Sequence, residues 1–151
     1  MKIYLAADHA GFELKEKVKE LLKGEGYELE DMGASTFDKD DDYPDFIIKA
    51  AEAVSKDPES RGIIFGGSGQ GEAIVANKFQ NVRAAVFYGG SRDIIKLSRE
   101  HNDANILSLG ARFLTEEEAL SAVKLWNDTL FTGEERHIRR LKKIAHIEQN
   151  L

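Results

Sequence analysis

The sequence predicts an α/β fold: one domain over residues 1–151, a Rossmann-like α/β/α sandwich with a five-stranded parallel sheet and a C-terminal helix. Three observations lead there. Short apolar runs alternate with amphipathic segments along the whole chain, the links between them are short, and a glycine-rich loop joins one run to a helix start. The 151 residues suffice for one full core. No internal repeat, low-complexity tract or domain boundary interrupts the alternation.

Lys2 to Ala7 is the first strand, followed at once by Asp8-His9-Ala10-Gly11. In Phe12 to Lys23, apolar Phe12, Leu14, Val18, Leu21 and Leu22 stand among lysines and glutamates, an amphipathic helix that Gly24 and Gly26 end. Tyr27 to Met32 is a second strand, closed by Gly33. An acidic loop, Phe37 to Asp42, leads to Tyr43-Pro44-Asp45, which opens a helix reaching about Lys56. Pro58 marks the link to the central stretch Arg61 to Lys78: a strand at Gly62 to Phe65, the loop, and a helix start carrying Glu72. A strand at Val82 to Phe87, a helix near Ser91 to Glu100 and a strand at Asn105 to Leu109 follow. Thr115 with Glu118 forms a capping box for a helix to about Leu130. Gly133 then breaks the chain before a last helix, Glu134 to about Gln149.

Composition narrows the function. A content of 42% hydrophobic and 32% charged residues is that of a soluble globular protein. The absence of cysteine excludes disulfides, thiolate metal sites and a cysteine nucleophile, and suits a cytoplasmic enzyme. The first residues hold too short an apolar run for a signal peptide, and no run reaches membrane-spanning length. A net charge of -6 argues against a nucleic-acid partner. No zinc or calcium motif is present. His9, His101, His137 and His146 lack metal-ligand spacing, and the run Asp38 to Asp42 misses the EF-hand pattern and reads as a solvated loop.

The glycine loop holds Gly66, Gly67, Gly69 and Gly71. Glycines let backbone N–H groups approach a ligand, and a helix N-terminus adds partial positive charge. A phosphate-binding P-loop would end in Gly-Lys-Ser/Thr, whereas this loop ends Gly71-Glu72-Ala73. The dinucleotide fingerprint would need glycine where Glu72 stands. A carboxylate there repels a pyrophosphate, so the loop suits a carbonyl or hydroxyl oxygen, with Glu72 as proton carrier. The plainer alternative is a strand-to-helix turn in which Glu72 complements the helix dipole. Ser68 resembles a nucleophile elbow only in Gly-Ser-Gly, which leaves a hydrolase as a weak alternative.

In such sheets ligands bind beyond the carboxyl ends of the strands. Asp8-His9, Gly66 to Glu72 and Gly110-Ala111-Arg112 all follow strands, so the architecture brings them to one rim. Asp8 reads as a hydroxyl-binding or imidazole-tuning group, or as the cap of the first helix. His101 and Asn102 read as an acid/base and an oxyanion donor, or as a helix-end cation and a turn. Arg136, Arg139, Arg140 and Lys143 share one face of the last helix, with Ile138, Leu141 and Ala145 roughly opposite. That basic face reads as a phosphate site or as a solvated face paired with Glu134, Glu135 or Glu148.

Together these pieces are similar to a known family. The chain resembles the ribose-5-phosphate isomerase B family, which also contains the galactose-6-phosphate isomerase subunits. The likeness spans essentially the whole chain. It rests on Ala7 to Phe12, Asp42-Tyr43-Pro44-Asp45, Gly66 to Glu72 with Ala76-Asn77-Lys78, Arg99 to Asn105, and Arg136-His137 with Arg140. It implies an aldose–ketose isomerase that acts on a phosphorylated sugar through a cis-enediolate, with no metal and no other cofactor. Many members place a cysteine base at the position of Gly66. This chain looks like the other branch, GGSGxGE, with Glu72 as base, whose burial has to raise its pKa against the helix dipole.

By position, Ser68 and the amides of Gly67, Gly69 and Gly71 would stabilise the enediolate oxygen, with Asn102 helping. His9 or His101 would open the furanose ring, Asp8 and Tyr43 would bind hydroxyls, and Arg112, Arg136 and Arg140 would hold the phosphate. The resemblance also implies a homodimer or tetramer with its site between subunits. The expected substrates are ribose-5-phosphate and ribulose-5-phosphate. Allose-phosphate or galactose-6-phosphate is the near alternative, and a non-catalytic sugar-phosphate sensor or a nucleotide-binding module the more distant ones.

Overall fold

A computed structural model describes all residues, 1–151. Five strands form one parallel sheet: β1 Lys2–Ala7, β2 Glu28–Asp31, β3 Arg61–Gly66, β4 Ala84–Phe87 and β5 Ile106–Gly110, in the spatial order β2-β1-β3-β5-β4. Six helices connect and flank them: α1 Phe12–Gly24, α2 Pro44–Lys56, α3 Gln70–Ala76, α4 Asp93–Glu100, α5 Glu116–Asp128 and α6 Glu135–Gln149. The expected α/β/α sandwich is what the chain forms.

Side chains alternate across a strand, and the central strands β1, β3 and β5 are buried on both faces. Ile3, Leu5, Ile63, Phe65, Leu107 and Leu109 face α1, α4 and α5, where Val18, Leu22, Ile95, Val123 and Trp126 complete one core. Tyr4, Ala6, Ile64 and Ile106 face the other way, onto Ile47, Ala50, Ala51 and Val54 of α2 and Ala76 of α3. Each fully buried Ile or Leu contributes roughly 1.5–3 kcal/mol relative to exposure, so these two layers hold the sheet rigid beneath its rims.

Some element ends differ from the sequence expectation. β4 starts at Ala84 rather than Val82 because side-chain amides replace the ladder at its entrance. Asn77 Oδ1 accepts from Ala84 N–H at 2.8 Å, and Asn105 Oδ1 accepts from Arg83 N–H at 2.8 Å. The N-cap of α1 is Gly11, without a side-chain cap. Asp8 instead closes the preceding turn, its Oδ1 accepting from Ala10 N–H (3.0 Å) and Gly11 N–H (3.3 Å). Gly11 is needed there because a Cβ would collide with Phe65. α1 also buries Lys15, whose ammonium reaches Asp31 Oδ1 at 2.7 Å and Ala34 O at 2.5 Å.

The capping box of α5 forms as expected: Thr115 Oγ1 accepts from Glu118 N–H at 3.1 Å, and Glu118 Oε2 from Thr115 N–H at 2.8 Å. α6 departs further from its helical-wheel reading. Its one fully buried residue is His137, with Leu141 and Ala145 half-buried, while Ile138 is exposed. The end of α6 is tied to the loop before β4, where Glu148 Oε2 accepts from Asn81 N–H at 3.0 Å. No helix is long and apolar enough to cross a membrane.

Candidate active site

The carboxyl-end rim of the sheet gathers three of the expected motifs. Gly66↔Gly110 is the last pair of the β3–β5 ladder, and beyond it Ala111 N–H and Arg112 N–H donate to the carbonyls of Gly66 (2.8 Å) and Gly67 (3.0 Å). The glycine loop and the Gly110–Arg112 turn are therefore stitched together. Ser108 Oγ donates to Gly69 O at 2.7 Å from beneath. Gly69 takes a left-handed conformation, φ 77°, as N-cap of α3, which glycine adopts without strain. The backbone N–H groups of Gly67, Ser68, Gly69 and Gly71 have no acceptor in the chain, while Gln70 N–H uses Ser68 Oγ at 3.3 Å. Four unpaired donors on one loop form a cradle for an oxyanion.

Glu72 stands in the first turn of α3, buried to 4% exposure, with its carboxyl against Gly66. Burial pushes its pKa above the ordinary carboxylate value; a hydrogen bond from its own N–H opposes the rise and the nearby Asp8 charge adds to it. Desolvation outweighs that hydrogen bond, and a carboxyl of raised pKa is suited to carrying a proton. Tyr43, the N-cap of α2, lies over Gly71 so closely that a Cβ there would come 2.7 Å from its hydroxyl.

His9 follows β1 on the same rim. Its Nδ1 lies 2.7 Å from Asp41 Oδ1, and its backbone N–H donates to the same oxygen at 3.0 Å. That hydrogen bond raises the imidazole pKa; partial burial opposes it, Asp8 adds to it, and the Arg112 charge lowers it. Arg112 is exposed and lies against Gly67, its Nη1 3.1 Å from where a Cβ would be. Asp41 is one of four aspartates in the run Asp38 to Asp42, and nothing in that run distinguishes it from Asp38, Asp40 or Asp42. Asp8, His9 and Asp41 also offer donor atoms within 4.8 Å of one another. Asp8 Oδ1 and Asp41 Oδ1 are already engaged by N–H groups.

The remaining expected residues lie at the other end of the sheet. In a parallel sheet α4 runs from the carboxyl end of β4 back to the amino end of β5, so His101, its C-cap, and Asn102 sit at the amino-end rim. The start of α6 is held there by Thr132, whose N–H (3.2 Å) and Oγ1 (2.9 Å) both donate to Glu100 O. His137 stacks on His101 with ring centroids 4.2 Å apart. Arg136 and Arg140 are exposed on α6; Arg136 pairs with Glu134 at 2.9 Å, and Arg140 forms no ion pair. A five-residue strand spans roughly 16 Å, so one chain does not bring these four residues to Glu72.

The Ribose/Galactose Isomerase family model matches residues 3–144. The chain is 45% identical over 149 residues to ribose-5-phosphate isomerase B of Mycobacterium tuberculosis, covering 99% of this chain and 91% of the relative. Among solved structures, ribose-5-phosphate isomerase B of Mycoplasma genitalium with bound ribulose-5-phosphate superposes with a TM-score of 0.94 at 37% identity, covering 99% of this chain and 97% of that one. The Clostridium thermocellum enzyme gives 0.93 at 43% identity, covering 99% of both.

Proposed function

Because the chain belongs to the ribose/galactose isomerase family and is a sugar-phosphate isomerase, we propose that it interconverts ribose-5-phosphate and ribulose-5-phosphate through a cis-enediolate with Glu72 as the base. One observation carries this reading: a buried carboxyl of raised pKa stands beside a loop of unpaired amides. Glu72 takes the C2 proton of the open-chain aldose, O1 gains negative charge, and the amides of Gly67, Gly69 and Gly71 with Ser68 hold it. The O2–H proton then passes to O1, Glu72 returns its proton to C1, and O2 becomes the carbonyl of the ketose.

The separation of the two rims supports a homodimer in which a second copy presents His101, Asn102, Arg136 and Arg140 to this copy's Glu72. Of the two histidines, His9 suits the phosphate: its ring is hydrogen-bonded to a carboxylate, close enough to Arg112 to feel its charge. His101 of the second copy then opens the ring, with Asp8 and Tyr43 on the sugar hydroxyls. A dianionic substrate that does not cross membranes unaided supports a cytoplasmic enzyme.

The test is NMR of the protein with ribose-5-phosphate in D₂O, wild type beside Glu72→Gln. Ketose formation by wild type with deuterium at the transferred position, and little turnover by the variant, supports the reading. Binding without ketose formation overturns it, and galactose-6-phosphate and allose-phosphate are then the next substrates.

A further inference from the structure

We infer that Asp41 is a positioning residue for substrate binding: it fixes the His9 ring and holds it as a cation, so that Nε2–H is presented beside Arg112 to an anionic group. This rests on the assignment of His9 and Arg112 to the phosphate end of the substrate.

The geometry around His9 leaves the ring little freedom. Asp41 Oδ1 meets both the backbone N–H and Nδ1 of His9, at 3.0 and 2.7 Å, so one oxygen fixes main chain and ring together. The edge of Phe37 stands against the ring, with centroids 6.3 Å apart. With Nδ1 turned to Asp41, only Nε2 is left to address a ligand. The Asp41 side chain is 8% exposed, and its other oxygen, Oδ2, is buried with no donor. No lysine or arginine pairs with it. A buried carboxylate with no other cation is tolerable when its one ring partner carries the charge. The other charged groups acting on His9 are Asp8 at the end of β1, which favours the imidazolium, and Arg112 beyond β5, which opposes it. Bound phosphate would offset that Arg112 repulsion, so Asp41 matters most to the empty site waiting for substrate.

Asp41→Asn separates the two roles. Its carboxamide oxygen can still accept from the His9 backbone and from a neutral Nδ1–H, so the ring stays in place while the support for its charge is lost. The expected result is KM for ribose-5-phosphate raised up to about tenfold at pH 7, just above the ordinary imidazole value, a full loss being the size of one charge-assisted hydrogen bond. Near pH 5.5 the imidazole is protonated regardless, and the two KM values should converge. The substrate phosphate itself titrates near pH 6, but equally for both proteins, so the ratio isolates the protein group. kcat should stay within about twofold at both pH values, and in a His9→Gln background Asp41→Asn should add nothing.

A KM ratio that does not change with pH, or a loss in kcat alone, would overturn the inference. Proton NMR of the four imidazoles, with His9 assigned from His9→Gln, tests it without turnover. In wild type His9 should titrate above the ordinary imidazole value, near 6.5, and in Asp41→Asn its midpoint should fall. A wild-type His9 that titrates at or below the ordinary imidazole value rejects the role even if the variant does not fold. Failure of the isomerase reading itself would show separately, as no ketose from wild type.

Discussion

The carboxyl of Glu72 lies where a side chain on residue 66 would have to go: a Cβ built on Gly66 overlaps it. The chain has room for a side chain at one position or for this carboxyl at the other. Gly66→Ala should therefore displace the Glu72 carboxyl and lower kcat at least a hundredfold, the lower range for losing a positioned general base. Thermal unfolding beside the kinetics would show whether the fold survives. Unchanged kcat would mean that Glu72 works from elsewhere.

Glu72→Gln should be nearly inactive yet more stable at neutral pH. Its folded-state pKa is raised, so the native state binds a proton more tightly than the unfolded chain does. Wild-type stability therefore falls as pH rises from the unfolded carboxylate value through the raised one. The glutamine variant lacks that penalty. Its Tm should exceed the wild-type value at pH 7, with the gap closing near pH 4.

Mixing two inactive variants tests the shared site. Glu72→Gln damages the carboxyl-end rim and Arg140→Ala the amino-end rim. If each site draws on both copies, co-refolded dimers should recover about a quarter of wild-type activity, since half are mixed and each mixed dimer keeps one intact site. No recovery would mean that the two rims do not meet across a two-fold axis.

His137 should make the protein acid-sensitive. Burial pushes its pKa down, and the neighbouring His101, Arg136 and Arg140 lower it further while Glu134 opposes. A base with a depressed folded pKa leaves stability intact above its unfolded value, near 6.5, and loses it as pH falls toward the folded value. Tm should drop between pH 7 and 5.5, and less so in His137→Phe, which keeps the stack on His101 without the charge.

Lys15→Met should cost about 3 kcal/mol in urea unfolding, within the range for breaking a buried ion pair. It leaves the Ala34 carbonyl and Asp31 Oδ1 without their ammonium. Burial alone would raise the Asp31 pKa, but hydrogen bonds from Lys15 and Lys19 bring it below the usual value. That part of the stability is present above the unfolded carboxylate value and lost as pH falls through the folded one. The variant should lose less on acidification than wild type.

Much of this protein was determined by local sequence. Apolar runs at Lys2–Ala7 and Arg61–Gly66, glycines after them, and a capping box at Thr115 specify strands, turns and a helix start within a few residues of themselves. Placing Asp8-His9, Gly66–Glu72 and Gly110–Arg112 on one rim follows from parallel alternation alone. Tertiary structure decided the rest, because it depends on which distant segments share space. Asp41 becomes the partner of His9 across 32 positions, and Lys15 meets Asp31 at the end of β2 and the Ala34 carbonyl beyond it. α6 buries His137 rather than Ile138 because it packs on the end of α4, which no helical wheel contains. The direction of α4 carries His101 away from Glu72 within one chain, and that is a matter of sheet topology rather than of motif content.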